Sequence, residues 1–165
     1  MTFEKDGYQE IANTDNHKCF GCSPKNPSGL RMRFFTDGNT LVSWITVPDH
    51  LCGWDKLVHG GVISTILDEI MSWSALYLHK GFTVTKSLTI DFFQPIFIGE
   101  EIRAEGKVLE IKGKRDIVMA GYLYDHHGEL CAESIGTFTI LPPKVAKRMG
   151  VMSEESIRDF ESILF

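Results

Sequence analysis

The sequence predicts an α+β fold in which an antiparallel sheet curls around one long helix. From Val62 to Lys80 the chain contains neither glycine nor proline, which favours a helix roughly 28 Å long. Three alternating segments joined by tight turns predict an antiparallel meander behind this stretch, and shorter strands precede it. One helix among these strands does not fit a parallel doubly wound fold, which needs several alternating helices.

The predicted helix has two contrasting sides. Gly60 and Gly61 mark its start, and Gly81 lies where a left-handed C-cap residue would end it. One side is a broad apolar stripe, formed by Ile63, Ile66, Leu67, Ile70, Trp73, Ser74 and Tyr77. The opposite side is small or polar and contains Ser64, Asp68, Ser72, Ala75 and His79. Because little of such a helix is left for water, we expect Asp68 to lie in a crevice or at a subunit contact.

Asp68 is the candidate functional carboxylate of this helix. The ordinary alternative is an exposed side chain beside Glu69, since charged residues are mostly exposed. Ser64 and Ser72, one turn on either side, leave room for a ligand. A partly desolvated carboxylate has a raised pKa, which suits a general base. The residues alone leave both interpretations open.

The remaining elements flank the helix. The predicted strands span residues 30–35, 40–47, 84–93, 102–111, 116–124 and 129–141. Residues 1–29 are polar and rich in turn formers and predict an extended lead-in, in which Tyr8 and Ile11 could begin a short helix. Residues 142–165 predict a basic connector and then a short helix capped by Ser153. We therefore assign residues 30–141 to the domain proper.

Composition and charge restrict the classes of function. The 165 residues are 43% hydrophobic, which favours one domain with a proper core. A net charge of −5 does not suit a dedicated nucleic-acid binder, which depends on basic residues. The first residues lack a signal-peptide pattern, and no apolar run is long enough to cross a membrane. We expect a cytoplasmic protein with neither a nucleic-acid nor a membrane partner.

The four cysteines, Cys19, Cys22, Cys52 and Cys131, are scattered through a chain large enough to fold without disulfides. Cys19 and Cys22 form a Cys-x-x-Cys pair just after His17, which raises a zinc or redox alternative. A structural zinc site usually shows a second such pair, and a redox pair usually lies at the mouth of a βαβ unit. Since the sequence pattern has neither, we expect free thiols, no metal and no cofactor.

Several motifs together resemble a known family. His59-Gly60-Gly61 is followed, nine positions after the histidine, by Asp68 with Glu69 next to it. Further matching positions lie in residues 19–30 and in residues 93–100. The first of these segments begins with Cys-Phe-Gly-Cys, continues through Asn-Pro and ends with Gly-Leu. This pattern resembles the hot-dog-fold acyl-CoA thioesterases, the group that includes the 4-hydroxybenzoyl-CoA and phenylacetate-pathway thioesterases. The resemblance covers most of residues 19–141 and implies a sheet wrapped around the central helix.

The resemblance implies roles for individual residues. Asp68 matches the carboxylate that acts as general base toward water or as nucleophile toward the thioester carbonyl. Gly60 and Gly61 match the turn whose backbone N–H groups, at the positive end of the helix dipole, polarise that carbonyl. Thr85 lies where several relatives have a Ser or Thr that helps to place water, although an ordinary β-branched strand residue is an equal interpretation. His59 is either a catalytic acid or, as we favour, a residue that shapes the loop or orients substrate.

The function implied by the resemblance is hydrolysis of an acyl-CoA or similar acyl thioester, by a homodimer or dimer of dimers with its sites between subunits. The chain departs from some relatives at Gly53, where they have an asparagine six positions before the histidine. One alternative is a hot-dog domain that binds acyl-CoA as a sensor or interaction module without turnover. Another is a hydratase or dehydratase, which usually pairs an acid with a histidine, here His50 or His79.

Overall fold

The computed structural model describes residues 5–164, which form one seven-stranded sheet and three α-helices. The strands are β1 (Gln9–Ile11), β2 (Phe34–Thr36), β3 (Leu41–Thr46), β4 (Phe82–Phe92), β5 (Glu101–Lys112), β6 (Asp116–Tyr124) and β7 (Leu130–Leu141). The helices are α1 (Gly60–His79), α2 (Pro143–Met149) and α3 (Glu154–Leu164). Paired strands are antiparallel, in the order β1-β2-β3-β5-β6-β7-β4, which confirms the predicted α+β class.

Helix α1 forms the centre of the hydrophobic core. Its predicted apolar stripe is buried except at Tyr77, which is partly exposed, and Ile66, Leu67 and Ile70 are fully enclosed. Trp73, farther along the same stripe, stacks on Phe34 of β2 with ring centroids 4.4 Å apart. Burial of several large apolar side chains on one helix supplies much of the free energy that holds the sheet around it.

The sheet approaches α1 closely where β5 and β6 carry glycines. Gly106 and Gly121 are paired across these two strands. A Cβ at Gly106 would lie 2.2 Å from Ser74 Oγ and 2.7 Å from the Ile70 carbonyl oxygen. A Cβ at Gly121 would lie 3.1 Å from Met71 Cγ. At Gly106 in particular, no other residue type would allow the strand to pass so near the helix.

The start of α1 agrees with the prediction, and its C-terminal end does not. The helix begins at Gly60, the first of the two glycines expected to mark its start. It ends with Lys80 in the left-handed conformation, at φ 54°, and the Lys80 amide donates to the Leu76 carbonyl at 3.0 Å. The prediction that Gly81 is the C-cap is therefore wrong. Gly81 is required for packing, because a Cβ there would lie 2.4 Å from Ile140 Cγ2.

The lead-in contains a strand where a helix was expected. Tyr8 and Ile11 do not begin a helix; residues Gln9–Ile11 pair with β2, and Ile11 lies opposite Phe34. The open edge of the sheet offers backbone partners to this segment, and a local propensity estimate does not include them. Ile11 is buried in the same core as α1, so the lead-in packs as part of the domain.

The C-terminal region forms two helices, of which only the second was predicted. The basic connector is helical over Pro143–Met149, with Pro143 in its first turn. Ser153 caps α3 as predicted, because its hydroxyl accepts a hydrogen bond from the Ser156 amide at 3.1 Å. Phe160 of α3 packs edge-on against Trp73, with ring centroids 6.0 Å apart, which docks the helix on the core.

Within residues 5–164, no helix combines the length and the apolarity that crossing a membrane requires. Residues 1–4 and 165 lie outside the described residues, and with them most of the segment in which a signal pattern was sought. The predicted domain boundaries after residues 29 and 141 stay predictions.

Candidate active site

His59 caps the N-terminus of α1 with its side chain. Its Nδ1 accepts a hydrogen bond from the Gly61 amide at 2.9 Å, and its carbonyl accepts one from the Val62 amide at 2.8 Å. Because an accepting Nδ1 carries no proton, the neutral ring holds its proton on Nε2. The contact supports the structural interpretation of His59, and an additional role as acid stays a prediction.

The Gly60 amide is the free donor at this helix end. The Gly61 N–H is engaged by His59, whereas no residue between 5 and 164 accepts a hydrogen bond from the Gly60 N–H. Gly60 is the first residue of α1, where the helix dipole is positive. A Cβ at Gly60 would touch only the Phe92 ring, at 3.9 Å. Of the two predicted amides, that of Gly60 is available to bind an oxygen atom of a ligand.

Asp68 and Thr85 lie together where β4 packs on α1. The Thr85 hydroxyl on β4 donates a hydrogen bond to Asp68 Oδ1 at 2.8 Å. Within the described residues, no donor contacts Asp68 Oδ2, which leaves that oxygen for water or substrate. Burial raises the pKa of the Asp68 carboxyl above its usual value, and the Thr85 hydrogen bond opposes part of this rise. A half-buried carboxylate with one free oxygen has the chemistry of a base or nucleophile.

The polar side of α1 faces the first half of β4. One turn beyond Asp68, the Ser72 and Thr83 hydroxyls share a hydrogen bond of 2.5 Å. Thr83 and Thr85 are two residues apart on β4, and both contact α1 through their hydroxyls. Of the two serines predicted to leave room around Asp68, Ser72 therefore holds the edge strand against the helix, whereas the Ser64 hydroxyl donates to the Gly60 carbonyl at 2.8 Å.

A groove of about 480 Å³ lies in front of Gly60. Its lining is formed by Cys52, Gly53, Trp54, Leu57, Val58, His59 and Gly60. Trp54 is 83% exposed, so its ring can stack on a ligand. Gly53, where some relatives have asparagine, allows the loop to pass close to His59, since a Cβ there would lie 3.3 Å from His59 Cα.

The free amide and the carboxylate of one chain are well separated along the helix. Eight residues separate Gly60 from Asp68 in α1, which corresponds to about 12 Å along the axis. A thioester carbonyl and the water that attacks it are only about 3 Å apart. One copy of α1 therefore does not present both groups to the same reacting atom.

A contact that the sequence did not reveal lies beside Asp68. Glu69 and Cys19 share a hydrogen bond, with Sγ and Oε1 3.2 Å apart. Burial, together with the nearby Cys19 sulfur, raises the pKa of the Glu69 carboxyl to about 8. Only adjacency in sequence linked Glu69 to the site, and no periodicity could indicate that a cysteine fifty positions earlier would reach it.

Comparison with known proteins shows which family part of this chain resembles. The family model described as the thioesterase superfamily matches residues 55–132, which include the N-terminal turn of α1, Asp68 and Thr85. The matched segment is therefore similar to the thioesterase superfamily. Together with the antiparallel sheet around α1, this match confirms the predicted hot-dog fold.

Three similar proteins show the extent of the likeness. A candidate esterase from Saccharolobus solfataricus is 37% identical over 90 residues, which are 54% of this chain and 63% of that protein. The acyl-coenzyme A thioesterase THEM4 from Xenopus laevis is 35% identical over 66 residues, 40% of this chain and 29% of that protein. A thioesterase protein from Streptococcus pneumoniae, solved with coenzyme A, superposes with a TM-score of 0.59 at 17% identity, covering 63% of this chain and 82% of that one.

Proposed function

We propose that the chain is a thioesterase that hydrolyses an acyl-CoA or a similar acyl thioester. The observation that carries the proposal is Asp68, a half-buried carboxylate whose Oδ1 is held by Thr85 and whose Oδ2 is free. The unengaged Gly60 amide at the start of the same helix supplies the second group that thioester hydrolysis needs.

The chemistry follows from these two groups. The thioester carbonyl oxygen accepts a hydrogen bond from the Gly60 N–H, and the helix dipole stabilises the negative charge that develops on that oxygen. In one route, Asp68 removes a proton from water, hydroxide adds to the carbonyl carbon, and the C–S bond breaks as the thiolate takes up the proton. In the other route, Asp68 Oδ2 adds to the carbonyl carbon, the thiolate leaves, and water hydrolyses the mixed anhydride.

An acyl-CoA is the substrate class we propose. The name of the Xenopus laevis relative includes acyl-coenzyme A, and the Streptococcus pneumoniae protein was solved with coenzyme A. The groove in front of Gly60 has an apolar rim, and Trp54 offers an exposed ring on which an adenine or aryl group can stack. The sequence prediction of an acyl-CoA partner is therefore retained as a proposal.

We further propose that the working unit is a homodimer whose two sites each combine Gly60 of one copy with Asp68 of the other. The roughly 12 Å between these residues along α1 supports this arrangement. Strand β4 is an edge of the sheet, and its residues Val84 and Phe92 are 44% and 53% exposed. An exposed apolar edge strand favours pairing with another chain.

The test is hydrolysis of a panel of acyl-CoAs, with the released thiol measured by a thiol reagent. Replacing Asp68 by alanine or asparagine should lower kcat at least about 100-fold, because both variants remove the carboxylate that acts as base or nucleophile in the proposed scheme. Asp15→Asn, which removes an exposed surface carboxylate, is the matched control and should retain full activity.

Two outcomes would contradict the proposal. Full activity in Asp68→Ala would exclude Asp68 as the reacting group. Tight binding of acyl-CoA by the wild-type protein without release of thiol would instead favour the acyl-CoA-binding sensor or interaction module.

A further inference from the structure

The turn Cys19-Phe20-Gly21-Cys22 meets Glu69 of α1 on the flank of the domain. Three possible metal-ligand atoms lie within 4.8 Å of one another: the sulfur atoms of Cys19 and Cys22 and a carboxylate oxygen of Glu69. Of these, Cys19 Sγ and Glu69 Oε1 are 3.2 Å apart. No other group of three such side chains converges in this way within residues 5–164. The catalytic scheme proposed above uses none of the three.

The turn is shaped to admit the glutamate. A Cβ at Gly21 would lie 2.5 Å from Glu69 Cγ and 2.6 Å from its carboxyl carbon, so a larger residue would displace Glu69 from the sulfur atoms. Two backbone hydrogen bonds also fix the conformation of the turn. The Met32 amide donates to the Gly21 carbonyl at 2.9 Å, and the Ser23 amide donates to the Cys19 carbonyl at 3.0 Å.

Within residues 5–164, no lysine, arginine or histidine forms an ion pair with Glu69. Cys22 is buried, and Cys19 and Glu69 are partly buried. Two thiols and a carboxyl group that converge in a partly buried place suit a metal ion, which displaces their protons and balances the charge that remains.

We propose that Cys19, Cys22 and Glu69 bind one thiophilic divalent cation, of which Zn²⁺ fits best. Two thiolates and a carboxylate are ligands that Zn²⁺ accepts, and its bond lengths of about 2.0–2.3 Å place tetrahedral ligand atoms about 3.3–3.8 Å apart. The 3.2 Å between Cys19 Sγ and Glu69 Oε1 is close to that range, and no two of the three ligand atoms are more than 4.8 Å apart. The sequence disfavoured a metal for want of a second cysteine pair, and the folded chain supplies the third ligand from α1 instead.

We assign the fourth coordination position of the metal ion to a water molecule. A cavity of about 230 Å³ borders the cluster, and His17 lines it together with the three ligands. His17 is engaged elsewhere, since its Nδ1 accepts a hydrogen bond from the Cys19 amide at 3.4 Å and its Nε2 lies 3.2 Å from Asn13 Oδ1. The bound ion fastens the lead-in to α1, one residue away from Asp68.

The test is a titration of the reduced full-length protein with Co²⁺ in the absence of oxygen. Co²⁺ replaces Zn²⁺ in tetrahedral sites, and its thiolate charge-transfer absorption reports sulfur ligation directly. We expect saturation at one ion per chain and reversal by Zn²⁺. Cys19→Ser and Cys22→Ser should each weaken binding more than about 10-fold and remove part of the charge-transfer band, and Glu69→Gln should weaken binding about 10-fold.

Cys52→Ser is the matched control, because it removes an exposed thiol outside the cluster and should leave binding unchanged. X-ray absorption of the Zn²⁺-loaded wild-type protein tests the ligands without any substitution, and it should show two sulfur and two lighter neighbours. Three results would each overturn the proposal. The first is that the protein takes up no ion at a ratio of one per chain, and the second is that it still takes up the ion after both cysteine substitutions. The third is that Cys19 and Cys22 oxidise to a disulfide in place of binding metal.

Discussion

At the scale of single residues, the candidate site depends on two hydrogen-bond donors and one carboxylate. The carboxylate of Asp68 is positioned by Thr85, and the Gly60 amide is left unengaged because His59 already occupies the amide of Gly61. The cap therefore decides which of the two glycine amides can bind a substrate oxygen. Each donor can be tested by a substitution that changes little else.

We predict that Thr85→Val lowers kcat about 5-fold, because Asp68 loses the hydrogen bond that orients it. Thr85 is exposed and valine suits a strand, so the free energy of unfolding should change little. The measurement is steady-state kinetics beside chemical denaturation. Thr89→Val, an exposed threonine farther along β4, is the control and should keep wild-type kcat; an equal loss in both variants would contradict the role of Thr85.

We predict that Gly60→Ala lowers kcat at least about 10-fold while leaving stability unchanged or slightly raised. The added methyl meets only Phe92, at 3.9 Å, and alanine favours a helix over glycine. The methyl group does, however, crowd the backbone N–H of residue 60, which is proposed to bind the thioester carbonyl oxygen. Gly61→Ala is the comparison: its Cβ would lie 3.1 Å from His59 Nδ1, so this variant should lose stability through the cap. Wild-type kcat in Gly60→Ala would exclude the Gly60 amide as an oxyanion donor.

At the scale of elements, the distance between α1 and the sheet decides where the site residues lie. β5 and β6 cross the helix at Gly106 and Gly121, and β4 contacts it through the Thr83 and Thr85 hydroxyls. Close packing of this kind transmits small changes in volume to the whole layer.

We predict that Gly106→Ala lowers the free energy of unfolding by about 2–3 kcal/mol, because its methyl would overlap the backbone of α1 at the Ile70 carbonyl. Gly121→Ala should cost only about 1 kcal/mol, since its methyl would meet the flexible side chain of Met71. Urea denaturation of both variants measures the difference. Equal stabilities, or the reverse order, would show that the strands can move away from the helix at little cost.

At the scale of the whole molecule, the proposed function needs two copies of the chain. One helix separates its own Gly60 and Asp68 by about 12 Å, whereas the exposed edge of β4 offers a surface through which a second helix can approach. A two-fold dimer would then contain two equivalent sites, each built from both chains.

We predict that two variants of low activity complement each other. Asp68→Ala and Gly60→Ala chains, co-expressed with different affinity tags and purified through both tags, form mixed dimers in which one of the two sites is intact. These dimers should recover about half of the wild-type activity, because only one site has lost both groups. Homodimers of either variant, purified in the same way, are the controls. No recovery in mixed dimers would place the whole site within one chain.

Much of the architecture was predictable because it depends on local pattern. The run without glycine or proline from Val62 to Lys80, with two glycines before it, predicted α1 and its start. Period-two alternation with turn residues predicted the meander. The spacing from His59 to Asp68 indicated the family. These features arise from backbone geometry and side-chain periodicity, which act over a few residues.

Other features required the folded chain, because they join residues that are distant in sequence. β1 is a strand only because β2 offers it an edge, and the need for glycine at position 81 follows from Ile140. The approach of Cys19 to Glu69, and of Thr85 to Asp68, results from packing of the lead-in and β4 on α1. The sequence by itself determined the central helix α1, the strands of the meander and the identity of the candidate carboxylate, through local propensity and spacing. The tertiary structure decided which amide is free, what surrounds Asp68 and which atoms meet Glu69, because such contacts depend on the path of the whole chain.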